Sequence, residues 1–163
     1  MIYLKKLLPL FLFFGVATAS AQIILPVSTT IQKTYTKGTR TKSGEPGKNY
    51  WQNTASYSIK VNFNPKTRLL SGTAGIDYVN NSPDTLKKIT FKLYPNLYQK
   101  GAARDRGISP ADVTDGVQIQ SISLDGQPVD SNKRRIAGTN MSLRVKPISP
   151  KQKVHFDIAY SYT

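Results

Sequence analysis

The chain has 163 residues, a formal net charge of +14, no cysteine and a single histidine. Without cysteine there is neither a disulfide framework nor a cysteine nucleophile, and one histidine is too few for a histidine-rich metal site. The cations are spread in short groups, such as 133-KRR-135, rather than in one long run. This distribution indicates a solvated basic surface and does not favour nucleic-acid binding.

The first 21 residues have the pattern of a secretory signal peptide. Lys5 and Lys6 precede the apolar run 7-LLPLFLFFGVATA-19, and 19-ASA-21 is a small-residue cleavage pattern. The run is shorter than the roughly 20 residues that span a bilayer, so no membrane anchor is expected after cleavage. The sequence therefore predicts an exported protein, periplasmic or secreted, whose mature part begins at Gln22.

Residues 22–49 are rich in Thr, Lys and Gly and contain few large apolar side chains. Such a composition buries too little apolar surface to offset the entropy lost on ordering. We expect a flexible basic leader or linker here, with ordered structure from Tyr50 and Trp51 onward and no helix after the signal peptide.

Beyond residue 50, apolar and polar residues alternate with the period of a β-strand. A phase slip between Ile119 and Ile122 predicts a β-bulge near Ser121, and Asp125-Gly126 predicts a tight hairpin. The pattern indicates an all-β fold, an antiparallel β-sandwich of about seven or more short strands over residues 50–163. Clear strand patterns cover 57–63, 70–78, 89–93, 117–124, 141–145 and 154–162.

No set of residues with the spacing of a catalytic or metal site is found, so we assign no catalytic, cofactor-binding or metal residue and no cofactor in this chain. His155 falls on the polar side of the last strand, without the further ligands that zinc needs. It also has no G-x-S-x-G serine to activate. Asp105, Asp112 and Asp115 share a long loop but lack the ligand spacing of an EF-hand.

The aromatic residues could form a platform for a carbohydrate or a peptide, but their spacing favours core or half-buried positions in the sheets. Tyr98 is the exception, because it lies beside Lys100, Arg104 and Arg106 in the long loop. The aromatic residues considered are Tyr50, Trp51, Tyr57, Tyr94, Tyr98, Tyr160 and Tyr162.

Several short motifs between residues 50 and 98 follow one another in a characteristic order. They are the pair Tyr50-Trp51, the alternating strand 57–63, 71-SGT-73, the turn 81-NSPDTL-86 and the corner 93-LYPN-96. In order and spacing they resemble the start of the N-terminal β domain of aminopeptidase-N-like zinc metallopeptidases, the gluzincin family, above all its exported Bacteroidetes-type members. With the later hairpin 122–129, the resemblance covers about residues 50–163.

The resemblance implies a non-catalytic N-terminal scaffold domain of an exported zinc-dependent aminopeptidase-like metallopeptidase, truncated before its catalytic domain. The family's HExxH helix and its GxMEN-type loop are not in this sequence, so zinc would belong to the catalytic domain and no catalytic position is carried over. The implied partner is that catalytic domain, with peptides as a further partner and no nucleic acid. The last strand, still in phase at Thr163, is expected to continue beyond it.

Two other hypotheses stay open. One is a free-standing secreted β-sandwich that acts as a binding module, with the basic loop 98–107 as its contact surface. The other is a hydrolase that uses His155. The sequence leaves open whether the chain is part of an enzyme.

Overall fold

The structure, a computed structural model, describes residues 26–163. The predicted signal peptide and the predicted mature N-terminus at Gln22 lie outside the described residues. In chain order, the helix and strands are α1 (Thr29–Lys37), β1 (Thr54–Asn64), β2 (Leu69–Val79), β3 (Leu86–Lys92), β4 (Gln118–Leu124), β5 (Gln127–Pro128), β6 (Arg134–Ala137), β7 (Asn140–Ile148) and β8 (Lys153–Tyr162).

The strands form two antiparallel sheets. The larger sheet has the order β1-β2-β8-β4-β5, and the smaller one has the order β3-β7-β6. The predicted all-β, sandwich-like antiparallel fold is confirmed. The predicted bulge is found where the phase slips. Ile119 pairs with Tyr160 and Ser121 pairs with Ala159, so β4 has one extra residue, Gln120, between two consecutive residues of β8. Asp125 and Gly126, both with positive φ, turn β4 into β5 as the sequence predicts.

The core lies between the sheets and depends on β8, which pairs with both β2 and β4. Phe156 at the middle of β8 is fully buried, and its ring meets Phe91 of β3 edge to face, with centroids 5.3 Å apart. Met141 and Leu143 of β7 are also fully buried. Because side chains alternate along a strand, every second side chain of β7 and β8 points into this interface.

The first hairpin requires glycine at position 72. A Cβ built there would lie 2.5 Å from the carbonyl oxygen of Lys60 and 3.1 Å from a methyl group of Val61. The carbonyl oxygen of Lys60 belongs to the backbone, so it cannot rotate away from an added Cβ as a side chain could. Gly72 thus permits close pairing of β1 with β2, as expected for a glycine inside a strand.

Residues 29–37 form a helix that the sequence analysis did not predict, so the expectation of no helix after the signal peptide is wrong. Ser28 accepts a hydrogen bond from the amide of Ile31, and Gly38 ends the helix in the left-handed conformation at φ 68°. No residue of α1 is buried. The helix is thus defined by its caps rather than by an apolar stripe, which is why periodicity did not reveal it. A domain boundary near residue 50 stays a prediction.

Asn80, at the end of β2, is a fully buried polar residue that joins three chain segments. Its amide nitrogen donates to the carbonyl oxygens of Asp84, Ile148 and Ser149 at 2.8, 3.0 and 3.1 Å. Its amide oxygen accepts from the hydroxyl of Ser82 at 2.6 Å. The corner 80–84 is therefore held against the end of β7 by one side chain.

Replacing Asn80 with Ala should lower the free energy of unfolding by about 2–3 kcal/mol, because buried carbonyl groups lose their donor. The measurement is urea unfolding of the variant and of the unchanged chain. Asn62→Ala, on the exposed side of β1, is the matched control and should change stability by less than about 0.5 kcal/mol. Equal effects of the two substitutions would contradict the role given to Asn80.

Candidate functional site

The inner face of β1 is an uncovered apolar surface within the described residues. Tyr57, Ile59, Val61 and Phe63 are 64%, 57%, 58% and 57% exposed. Register with β2 places Tyr57 opposite Ile76, a core residue, so these side chains lie on the sheet face that elsewhere packs against the smaller sheet. The smaller sheet ends at β3 before it reaches β1. Nothing in the described part of the chain therefore covers the apolar face of β1.

A groove runs between this face and the free edge of β3. It encloses about 500 Å³ and is lined by Tyr57 and Ile59 on β1, Ala74 on β2 and Phe91 and Lys92 on β3. Within residues 26–163, β1 pairs only with β2, and β3 pairs only with β7. Both strands that border the groove thus present unpaired backbone donors and acceptors beside apolar side chains.

The apolar surface continues onto the corner after β3. Tyr94, Leu97 and Tyr98 of the 3₁₀ helix Tyr94–Tyr98 are all exposed. They border a second depression of about 690 Å³ that reaches Phe63 at the end of β1. We call the seven exposed residues of β1 and this corner the apolar edge: Tyr57, Ile59, Val61, Phe63, Tyr94, Leu97 and Tyr98.

The corner is held in place by Asn96, which is buried. Its amide nitrogen donates to the carbonyl oxygen of Gly138 at 2.9 Å, and its amide oxygen accepts from the amide of Val117 at 2.7 Å. Gly116 lies against Asn96 with positive φ, and a Cβ there would meet the amide oxygen at 2.8 Å. The long loop therefore starts and ends at one buried side chain, and the exposed aromatic residues sit on a fixed base.

The expectation of core or half-buried positions is wrong for four of the six aromatic residues it covered, and Tyr98, which was set apart as the exception, is exposed as well. Tyr50, Trp51, Tyr57, Tyr94 and Tyr98 are exposed, and only Tyr160 and Tyr162 are half-buried. The reason lies in the sheets. Alternation assigns a side chain to a face, but β1 extends past the smaller sheet, and the corner after β3 faces outward.

Two charged residues of the long loop are used within the fold. Arg104 donates to the carbonyl oxygens of Leu97 and Gln99 at 2.8 and 3.1 Å. Asp112 forms an ion pair with Arg68 at 3.2 Å. Within residues 26–163, no group of three or more His, Cys, Asp or Glu side chains could hold a metal ion. Asp105, Asp112 and Asp115 are accordingly not brought together as a site, and these residues offer no ligand set for zinc.

A polar cluster occupies the opposite, outer face of the larger sheet. His155 on β8 contacts Asp77 on β2 through Nδ1 at 2.7 Å and Asp157 on β8 through Nε2 at 3.2 Å. Lys153 contacts the other oxygen of Asp77 at 3.0 Å. The prediction of His155 as a surface residue of the sheet is confirmed, and its side chain is 44% exposed.

The cluster shifts two pKa values in opposite directions. Hydrogen bonds that His155 donates to Asp77 and then to Asp157 raise the pKa of His155 above its ordinary value. The same bond from His155, together with Lys153, lowers the pKa of Asp77. Because both ring nitrogens face carboxylates, the imidazolium form of His155 is favoured more than it is in a free histidine.

This geometry does not provide a serine nucleophile. A Ser-His-Asp relay needs the serine hydroxyl to donate to a ring nitrogen of histidine. The nearby hydroxyl of Ser123 instead donates to Asp157 at 3.2 Å, and both nitrogens of His155 are occupied by carboxylates. The cluster instead forms a charge network that links the outer faces of β2 and β8.

Sequence reasoning missed both surfaces for the same reason, since each depends on contacts between distant segments. His155 and Asp157, two residues apart on one strand face, were a usable signal for half of the cluster. Asp77 lies 78 residues away from His155 and is brought there by the register of β2 with β8. Nothing in the sequence of β1 alone indicates that its apolar face is uncovered.

No protein-family model matches the sequence, and neither a curated protein nor a solved structure shows significant similarity to it. The resemblance to the aminopeptidase-N-like family therefore stays a prediction. No helix within residues 26–163 combines the length and the apolar character needed to cross a membrane.

The single histidine makes the polar cluster measurable by NMR, since one imidazole signal titrates alone. We expect its pKa to lie above about 6.5, and Asp77→Asn should lower it toward that ordinary value. Asp105→Asn, in the exposed loop, is the control and should leave the titration unchanged. An unchanged titration in Asp77→Asn would contradict the pairing.

The same shift predicts how stability depends on pH. Because folding raises the pKa of His155, its stabilising contribution is complete below about pH 6.5 and is lost as pH rises through the folded-state value. Asp77, whose pKa is lowered, contributes above its unfolded value and loses that contribution as pH falls. His155→Gln should therefore flatten the fall in melting temperature above pH 6.5, measured by thermal unfolding at a series of pH values.

Proposed function

We propose that this chain is a non-catalytic scaffold domain that packs, through the apolar edge, on the catalytic domain of an exported zinc-dependent aminopeptidase-like enzyme. The observation that carries the proposal is the inner face of β1, where four large apolar side chains are each more than half exposed. The resemblance of residues 50–163 to the N-terminal domain of that family supports the choice of partner. The export expected from the N-terminal pattern is consistent with it.

The chemistry of the apolar edge favours a protein as its occupant. Unpaired backbone groups on β1 and β3 beside apolar side chains suit another polypeptide strand, which can satisfy both at once. β1 pairs with β2 over eleven residues without a bulge, contains no proline and carries only Lys60 as a charge. Bulges, prolines and charged residues are features that keep an edge strand from pairing with another chain, and β1 has few of them. A partner that covers the four side chains of β1 would contribute roughly 1 kcal/mol for each.

A second copy of the chain is a poorer occupant than a different domain. Each chain carries a formal net charge of +14, so two copies repel one another. If the β1 strands of two copies paired antiparallel, the positively charged Lys60 of one copy would also lie close to β1 of the other, which carries the same charge. A neutral or acidic domain avoids this cost. The internal use of Arg104 also argues against loop 98–107 as the main contact surface.

The proposal is tested by photo-crosslinking in the exporting host. A benzophenone amino acid in place of Ile59, within the apolar edge, should crosslink to a polypeptide that contains a HExxH zinc-peptidase sequence. The same group in place of Ser58, on the opposite face of β1, is the matched control and should give little product. The intact mass of the native protein shows whether that peptidase is part of the same chain.

Three outcomes would contradict the proposal. No product at Ile59 would mean that nothing covers the apolar edge. A product that contains only a second copy would indicate self-association. A product with a protein that lacks a zinc-peptidase sequence would favour the free-standing binding module.

The apolar character of β1 should matter for the contact and not for folding of the isolated chain. Val61→Lys should reduce the crosslink from position 59 by roughly tenfold, since a charge would be buried against the partner. It should leave the melting temperature almost unchanged, because Val61 is exposed in the free chain. Asn62→Lys, which faces the other way, should leave the crosslink yield unchanged.

A further inference from the structure

The outer face of the smaller sheet concentrates positive charge. β3, β6 and β7 together contain seven Lys and Arg residues and no Asp or Glu. The five strands of the larger sheet contain two Lys and two Asp. The excess of positive charge over the sandwich is thus carried by the smaller sheet.

Register shows which of these cations share that face. Ile89 pairs with Leu143 and Phe91 pairs with Met141, and these point into the core, so the residues between them point outward. We call the four outward cations that have a partner in this register the basic face: Lys88, Lys92, Arg135 and Arg144. Among residues 26–163, no cation of the basic face forms an ion pair; the observed pairs involve Arg68, Lys153 and His155.

The arrangement carries a cost within the fold. Lys88 and Arg144 are direct partners across β3 and β7, and like charges at such positions destabilise a sheet. On the outer face of the larger sheet, by contrast, Asp77 is matched by His155 and Lys153. An external anion in contact with Lys88 and Arg144 would remove the repulsion that the fold leaves in place.

We propose that the basic face is a binding site for the surface of an anionic phospholipid bilayer. It is a two-dimensional array, about 13 Å along β3 from Lys88 to Lys92 and about 10 Å across three strands. Such a grid suits a plane of phosphate groups, whereas a linear polyanion is matched by a stripe or a groove. The hydroxyls of Thr90 and Ser142 lie between the cations and add hydrogen-bond donors for phosphate oxygens.

The composition of the face also separates a bilayer from nucleic acid. Its outward residues on β3, β6 and β7 include no aromatic side chain on which a base could stack. They include no large apolar side chain for insertion below the headgroups either. Binding should therefore be electrostatic, superficial and sensitive to salt.

The test measures co-sedimentation of the full chain, expressed with its own N-terminus, with vesicles of phosphatidylcholine with and without phosphatidylglycerol. Phosphatidylcholine alone gives the baseline for any apolar binding. The chain should bind the anionic vesicles above this baseline and be released by high salt. The double variant Lys88→Gln, Arg144→Gln should reduce the anionic component roughly tenfold or more.

The matched control is Lys42→Gln, Lys60→Gln, which removes the same charge from exposed positions outside the basic face. It should keep most of the binding. Because the Lys88, Arg144 variant loses a like-charge pair, it should melt at the same temperature as the unchanged chain or higher, so lost binding cannot come from misfolding. Equal losses in the two variants would overturn the proposal in favour of net charge alone. No binding to anionic vesicles would overturn it as well, and so would binding to heparin, a linear polyanion, without binding to vesicles.

Discussion

The edge-to-face contact between Phe91 and Phe156 is the constraint on which the rest of the fold depends. It joins β3 of the smaller sheet to β8, the middle strand of the larger one, in the centre of the core. Because side chains alternate along a strand, fixing Phe156 inward also fixes His155 and Asp157 outward. The packing of one ring thus positions the polar cluster on the far side of the sheet, where Asp77 arrives through the register of β2.

The same contact determines what is left uncovered. With β3 placed over Phe156, the smaller sheet extends away through β7 and β6, and nothing of it lies over β1. A five-stranded sheet faced by three strands must expose part of its inner face. In this chain the exposed part is apolar. A surface that stays in water has no need of apolar side chains, whereas a surface that contacts a partner does. That asymmetry, rather than any catalytic geometry, is the reason we propose a docking scaffold.

Local chemistry could be predicted from the sequence, and long-range cover could not. The bulge near Ser121 and the turn at Asp125-Gly126 each depend on a few neighbouring residues, so their signals are complete within the sequence. α1 was missed because its caps, Ser28 and Gly38, enclose a polar segment without an apolar stripe. Asn80 is buried because its amide finds three carbonyl groups from two segments, a fact that no local pattern contains. The exposure of β1 depends on the number of strands in the other sheet.

The two proposed contact surfaces differ in the physical term that drives them, and they meet at one residue. The apolar edge gains from removing apolar area from water, so its contact should resist salt. The basic face gains from charge, so its contact should weaken with salt. Lys92 lines the groove beside β1 and also belongs to the basic face, so a domain seated in the groove would lie next to that face rather than over Lys88 and Arg144. A partner domain on the apolar edge and an anionic surface on the basic face can therefore be bound at the same time, with the free edge of β3 between them.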